Sequence, residues 1–344
     1  MHKSFSIFIT GATGFIGRAM LPRLLADFAF VRAAVRSGVS LSCESFRVGS
    51  IDGRTCWAEG LRGIDAVVHL AGFAHINRPT KSDLDLMRRT NVDGTASLAQ
   101  QAAQAGVRHF VFVSSIGAVC EQAEQIIGPG TQCNPSTAYG KSKLEAEKLL
   151  IEAAAASGME WTIIRPPLVY GPGNPGNMER LLKLIRLGIP LPLASVRNRR
   201  SFIYVGNLVD LVLKCLGNPK AFGKIFLPAD GENVSTPELI RKIEKAETGT
   251  VGQAGDRPKA NLSRRQAHAK LECIGDGCTA PRGARLFPFP ESLLKAAGRL
   301  PGLGALRKLT SSLYVDSEPI RRDLSWTPPF TMEEGLRRTL EKRL

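Results

Sequence analysis

The chain has 344 residues, 43% hydrophobic and 22% charged, the balance of a soluble globular protein with a sizeable core. No apolar run approaches the roughly 20 residues that span a bilayer, and the opening Met1-His2-Lys3 precedes a strand pattern with no secretory signal, so a cytoplasmic protein without membrane insertion is expected. A formal charge of +15 suits an anionic ligand, and the basic residues are too dispersed, with no basic helix or interleaved aromatic stripe, to argue for nucleic acid.

Short apolar runs alternate with helical patterns through the first half. Strands are predicted at 6–9, 30–35, 66–70, 110–114 and 161–164, and helices at 14–25, 84–105 and 138–156. The alternation predicts an α/β fold, a Rossmann-type doubly wound parallel sheet with helices on both faces. Its strands lack polar alternation, as strands buried on both faces do. After Arg165-Pro166-Pro167 the pattern changes to a Gly/Pro loop at 171–177, a helix at 178–187, a strand at 202–205 and a helix at 208–216. This gives a dinucleotide-binding domain at 1–170 with returning elements at about 200–216. A smaller C-terminal α/β substrate region occupies most of 171–344. Residues 249–284 are polar, basic and Gly-rich and read as a long flexible loop. Residues 293–309, apolar and basic, read as a helix packed on the smaller region.

The seven cysteines are scattered with no CxxC pair, which predicts free thiols. His268, Cys273 and Cys278 fit no zinc spacing, so no metal is expected.

Gly11, Gly14 and Gly17 stand between the first strand and the first helix. Glycine there allows a tight turn, close approach to a pyrophosphate and helix packing on the sheet. Helix-start amides then face the phosphates. An acid at the end of the second strand would favour NAD; this chain has Val35-Arg36-Ser37, with Arg32 earlier in the strand. Guanidinium suits the 2′-phosphate of NADP, so NADP(H) is favoured, with NAD the alternative. Tyr139 and Lys143, at i and i+4, share a helix face. A nearby ammonium favours phenolate and is expected to lower the tyrosine pKa, readying it for proton exchange with a substrate oxygen. Ser114 and Ser115 end the strand at 110–114 and place a hydroxyl against the same oxygen.

These motifs resemble those of extended short-chain dehydrogenases/reductases of the nucleotide-sugar epimerase/dehydratase family. The resemblance rests on Thr10 through Gly17, His69-Leu70-Ala71-Gly72, Asn91-Val92-Asp93-Gly94-Thr95, Phe112-Val113-Ser114-Ser115, Tyr139-x3-Lys143 and Arg165 through Gly173. It implies Ser115, Tyr139 and Lys143 as the catalytic set, with Ser114 the alternative serine. It implies cofactor contacts from Gly11, Thr13, Gly14, Phe15, Ile16, Gly17, Arg36 and Ser37, with Asp52 standing near the acid that relatives carry at the position of Ser50. Leu70, Ala71, Gly72 and Asn91 would line the cofactor, and Pro166, Leu168 and Val169 would border the nicotinamide.

The second half, from Gly188-Ile189-Pro190 through Trp326-Thr327-Pro328, is similar to enzymes of bacterial surface-polysaccharide assembly that act on UDP-N-acetyl sugars. That similarity implies a UDP-sugar held by His75, Ser115, Asn177, Arg200 and Lys308 (or its neighbour Arg307). It also implies a homodimer paired through 84–105 and 138–156. The expected activity is NADP(H)-dependent reduction of a UDP-linked 4-keto-6-deoxy N-acetyl sugar to UDP-N-acetylquinovosamine. The alternative is a UDP-glucose or UDP-N-acetylglucosamine 4-epimerase with tightly bound NAD.

Overall fold

A computed structural model describes residues 5–36, 38–74, 79–253, 285–298 and 304–341. The first half runs β1 (Ser6–Thr10), α1 (Phe15–Asp27), β2 (Phe30–Val35), β3 (Glu44–Arg47), α2 (Ala58–Leu61), β4 (Ala66–His69), α3 (Lys81–Arg88), α4 (Gly94–Gln104), β5 (His109–Val113), α5 (Ala138–Ala155) and β6 (Glu160–Ile164). Then follow β7 (Leu168–Tyr170), α6 (Asn177–Arg186), β8 (Arg200–Tyr204), α7 (Val205–Cys215), β9 (Lys224–Phe226), β10 (Asn233–Val234) and α8 (Thr236–Gln253). The chain closes with α9 (Glu291–Ala297), α10 (Gly304–Thr310), α11 (Glu318–Leu324) and α12 (Met332–Glu341).

Seven strands form one parallel sheet in the order β3-β2-β1-β4-β5-β6-β9. Ile7, Phe8 and Ile9 of β1 are all fully buried, because helices cover both faces of the sheet. One apolar layer gathers α1, α7 and α11; the opposite one gathers α2, α4 and α5. The strand order reverses at β1, whose neighbours are β2 and β4. A crevice opens at such a switch point, beyond the carboxyl ends of the strands.

The expected fold is present, with local departures. The single helix read over 84–105 is two helices joined by a π-turn at Arg89–Asp93. The strand β3 was missed because Glu44–Arg47 is polar and mostly exposed at the sheet edge. The elements at 200–216 do not return together. β8 joins a second, three-stranded sheet, β10-β8-β7, while α7 packs back on α1 and β9 supplies the seventh strand of the main sheet. The loop read from 249 begins later, since α8 continues to Gln253; residues 254–284 lie outside the described residues. The helix read over 293–309 is two short helices, α9 and α10, packed on each other.

A buried carboxylate fastens the second sheet to α7. Asp230 accepts from the Tyr170 hydroxyl at 2.7 Å, the Tyr204 amide at 2.9 Å and Asn207 Nδ2 at 2.7 Å. Asn207 also exchanges two hydrogen bonds with the Phe330 backbone, drawing in the segment before α12. Burial pushes the Asp230 carboxyl up, against its donors. Asp230→Ala would leave the buried Tyr204 amide and one Asn207 N–H without an acceptor and the Tyr170 hydroxyl with only the longer bond to the Met332 carbonyl at 3.3 Å, so it is expected to cost about 3 kcal/mol. Urea unfolding of the variant and the parent protein measures that difference.

Candidate active site

The loops after β1, β2, β4, β5 and β6 converge on one edge of the sheet. Gly11 has φ +73°, and a Cβ there would stand 2.8 Å from the Ala71 nitrogen. Gly17 closes the same turn from α1, where a Cβ would lie 2.1 Å from the Gly11 carbonyl oxygen. Backbone therefore touches backbone, which only glycine permits. α1 starts after Gly14 with no side-chain cap, leaving its first amides for an anion. Phe15 and Ile16 anchor this turn on the apolar layers beneath, and Thr13, exposed, accepts through its carbonyl from Arg18 at 2.8 Å. A cradle that any Cβ would fill, above uncapped amides, fits a dinucleotide pyrophosphate.

At the end of β2, Arg36 is exposed. Arg32 is a brace: it donates to Glu44 at 2.6 Å and to the carbonyls of Gly60 and Arg62. Sequence reasoning missed Arg47, exposed and opposite Val35 in the β2–β3 register, which brings a second guanidinium to this corner. Asp52 is tied into its own turn, accepting from the Arg54 amide at 2.8 Å and the Ser50 hydroxyl at 3.2 Å. Ser37 lies outside the described residues.

His69, fully buried, fixes the exit of β4. Its Nδ1 is 2.7 Å from Thr10 Oγ1 and its Nε2 is 2.9 Å from Thr95 Oγ1. Thr95 already donates to the Asn91 carbonyl, which assigns the ring proton to Nε2. Burial holds the imidazole neutral, its pKa down to about 3, with the Lys143 charge pushing the same way. The following residues, Leu70, Ala71 and Gly72, then line the crevice. A Cβ on Gly72 would sit 3.4 Å from Asn91 Oδ1 and 3.7 Å from Lys143 Nζ. Asn91 itself is a clamp. From the π-turn its carboxamide accepts from the Phe73 amide at 2.6 Å and donates to the Phe73 carbonyl and Ser142 Oγ. All its hydrogen-bonding groups have protein partners, so it shapes the wall that it was expected to present to the cofactor.

The two serines after β5 divide their work. Ser114 is buried and donates to the Glu147 carboxylate. Ser115 accepts from the Gly117 amide at 3.1 Å and faces the Tyr139 phenol, whose pKa it pulls down. Tyr139 opens α5, whose cap Thr137 accepts from the Gly140 amide. Glu121 in turn holds that cap through both the amides and the hydroxyls of Ser136 and Thr137, at 2.6 to 3.1 Å.

Lys143, one turn on, is 4% exposed. Its ammonium donates to the Val113 carbonyl at 3.1 Å and stands 4.3 Å over the Phe112 ring. Burial lowers its pKa to about 8, with the Glu147 charge opposing. The expected lowering of the tyrosine by this ammonium is corrected here. Burial pushes the Tyr139 phenol up, and the opposing pull comes from Ser115.

Below Lys143 on the same helix face, Glu147 forms a buried pair with Arg165, with contacts of 3.1, 3.2 and 2.6 Å. Neither side chain is more than 5% exposed. Sequence reasoning missed Glu147, although the four-residue spacing from Tyr139 through Lys143 continues to it. Beyond Arg165, the Pro166 carbonyl accepts from the Ile116 amide at 2.9 Å, and Leu168 and Val169 are partly buried in β7.

In the second sheet, Arg200 is half-buried. Its guanidinium donates to the carbonyls of Lys308 and Ser311 at 2.8 and 3.0 Å. Burial lowers it to about 10, and no carboxylate faces it among the described residues. Lys308 contributes that carbonyl, while its side chain is exposed on α10 beside Arg307, which donates to Gln122. Asn177 begins α6, but its side chain, like all of His75, lies outside the described residues. Among the described residues no group of three His, Cys, Asp or Glu side chains is placed to hold a metal.

A glycine-cradled switch point beside a Tyr–Lys helix defines a dinucleotide-dependent α/β enzyme class. Residues 7–227 match the NAD dependent epimerase/dehydratase family, and the chain belongs to it. It is 36% identical to the UDP-glucose 4-epimerase of Vibrio cholerae, across 98% of this chain and 94% of that one. It is 26% identical, over similar spans, to the N-acetyl-α-D-glucosaminyl-diphospho-ditrans,octacis-undecaprenol 4-epimerase of Escherichia coli O157:H7. Its fold is that of the Thermotoga maritima UDP-glucose 4-epimerase solved with UDP-glucose, with TM-score 0.71, 19% identity and 98% of each chain covered. It is equally like the Bacillus cereus UDP-glucuronic acid 4-epimerase solved with NAD, with TM-score 0.71, 17% identity, and 98% and 99% covered.

Removing one partner of the buried pair strands a charge. Glu147→Ala is expected to destabilise by about 3–5 kcal/mol, whereas Glu147→Met with Arg165→Met should recover most of that loss. Chemical denaturation of the two variants tests it, and equal losses would show that the pair is not the stabilising unit.

Proposed function

We propose that this protein interconverts the C4 epimers of a UDP-linked hexose or N-acetylhexosamine, with a nicotinamide dinucleotide on the Gly11–Gly17 cradle. The carrying observation is Arg200, a half-buried cation neutralised by no carboxylate among the described residues and held only by neutral oxygens. Such a group is prepared for an anion, and planar guanidinium suits a diphosphate. The two relatives named as 4-epimerases, matched along almost the whole chain, both act on diphosphate-linked sugars by their names. β8, which begins at Arg200, lies beside β7, which carries Leu168 and Val169. A sugar diphosphate bound at Arg200 would thus extend toward Ser115 and Tyr139.

When bound, the dinucleotide supplies the hydride acceptor and donor for sugar C4. Tyr139 acts as phenolate to take the proton of the C4 hydroxyl and as phenol to give it back to O4 after the ring has turned. Ser115 orients that oxygen. Lys143, beneath Gly72, supplies an ammonium toward a nicotinamide ribose. The residues present also fit the homodimer expected through α3–α4 and α5: Leu84 and Leu86 are exposed on α3, and Arg88 joins α3 to Glu145 of α5.

A second reading, reduction of a UDP-linked 4-keto sugar by NADPH, is favoured by one observation. Among the described residues, two exposed arginines, Arg36 and Arg47, and no acidic residue stand where β2 ends. An epimerase keeps its dinucleotide through the cycle, whereas a reductase exchanges it. Purified protein is expected to release NAD on denaturation and to equilibrate UDP-glucose with UDP-galactose, or their N-acetyl counterparts. Stoichiometric oxidation of NADPH by a UDP-linked 4-keto sugar, without epimerisation, would establish the reductase instead.

Under either reaction Tyr139→Phe should lower turnover by about 10²–10⁴-fold with dinucleotide affinity nearly unchanged. Retention of more than about a tenth of the activity would remove the phenol from its assigned role. The Lys143 ammonium is present below about pH 8 and lost above it. Dinucleotide affinity of the emptied enzyme should therefore weaken as pH rises through that value, and Lys143→Met should bind weakly with no such pH dependence. Fluorescence titration of NADH reads both.

A further inference from the structure

Nine large apolar side chains are exposed among the described residues, and five of them lie on two neighbouring segments of the second lobe. They are Leu187, 70% exposed, with Ile189, Phe287, Phe289 and Leu293. The segments run side by side: the Leu191 amide donates to the Arg285 carbonyl at 2.9 Å, the Phe287 amide to the Leu191 carbonyl at 3.1 Å, and the Ala194 amide to the Phe287 carbonyl at 3.2 Å. Leu191, Leu193 and Leu294 from the same stretches are buried, with Leu286 packed against them. The exposed set is therefore the outer side of an element whose inner side is already in the core. Pro190, Pro288 and Pro290, also exposed, offer no amide to a strand partner.

The charge around this patch is mainly positive. Residues 179–197 and 285–298 hold six basic side chains (Arg180, Lys183, Arg186, Arg197, Arg285 and Lys295) against two acidic ones. All six basic residues are exposed. Both acids are paired, Glu179 with Lys183 at 3.5 Å and Glu291 with Lys295 at 2.9 Å, and Glu247 from α8 faces Arg186 at 2.8 Å. Apolar side chains ringed by lysine and arginine match the boundary of an anionic bilayer. Phe and Leu enter the acyl region, while the cations meet lipid phosphates.

We infer that this face, formed by the α6 end, the 285–290 segment and α9, docks on an anionic phospholipid surface. No helix of the described residues is long and apolar enough to cross a membrane, so the contact is interfacial. The face is continuous with the substrate lobe, since α9 packs on α10 and α10 carries the Lys308 carbonyl that holds Arg200. Docking would bring a diphosphate-binding cation close to the membrane. The surface is independent of which sugar reaction the site performs.

The test is co-sedimentation of the full chain with vesicles of phosphatidylglycerol and phosphatidylcholine, and with phosphatidylcholine alone. Binding is expected only to the anionic vesicles, with release at about 500 mM salt, where screening is strong. Phe287→Ser with Phe289→Ser, and separately Lys183→Glu with Arg285→Glu, should each cut the bound fraction at least tenfold. Circular dichroism and UDP-sugar turnover report whether the variants stay folded. Absence of binding by the parent protein overturns the inference. Undiminished binding by the folded Phe variant also overturns it, leaving only the general positive charge. A fall in the solution mass of that variant would assign the patch to a second copy of this chain, and would overturn it as well.

Discussion

The site depends on a buried ion pair that touches no reacting atom. Glu147 and Arg165 face each other beneath the crevice, one from the middle of α5 and the other from the exit of β6. Two charges taken out of water are tolerable only when their geometry satisfies both. Here the remaining valence of the carboxylate accepts from Ser114, and its charge steadies Lys143 one turn above. The pair thereby sets the height of α5 against β5. That height places Lys143 on the Val113 carbonyl and leaves Ser115 as the serine that meets Tyr139.

Neutral hydrogen-bonded clamps act in the same way on the other wall. His69 stays uncharged because it is buried and bridged by two threonines, so it orders the β4 exit without adding a second cation beside Lys143. The π-turn at Arg89–Asp93 displaces one residue of helical register, and that displacement aims Asn91 at Phe73 and Ser142. Such turns recur at functional sites because they re-aim a side chain without ending a helix. Glu121 performs the corresponding task at the start of α5. The second sheet is held by the same means: Asp230 gathers donors from separate elements, and Asn198 donates across to others. Asn198 bridges Thr236 to the carbonyls of Leu309 and Ser311, beside the oxygens that hold Arg200.

The chemistry-bearing motifs were legible because each is local. Glycines at a strand–helix turn, a Tyr and a Lys four apart, and a serine pair at a strand end need only neighbouring residues to be recognised. The supporting residues were not, since their partners lie far along the chain: Glu147 meets Arg165 across 18 positions, and Arg200 meets Lys308 across 108. Asn91 was placed at the cofactor by its motif, yet its amide is occupied by Phe73 and Ser142. The break in the 84–105 helix left no Gly or Pro inside 84–93 to announce it. Arg32 and Arg36 look alike in sequence, and only packing separates the brace from the exposed cation.

By itself the sequence determined the parallel sheet and the glycine turn, because periodicity and glycine placement are properties of contiguous chain, and its family resemblance supplied the Ser115–Tyr139–Lys143 candidates. The tertiary structure decided which serine faces the phenol, that burial rather than the neighbouring ammonium governs the resting Tyr139, and that β8 belongs to a second sheet. It also decided that Arg200, half-buried, is held by carbonyl oxygens and not by a carboxylate. Each of these turns on desolvation and on partners brought together only by folding, and neither quantity exists in a linear chain.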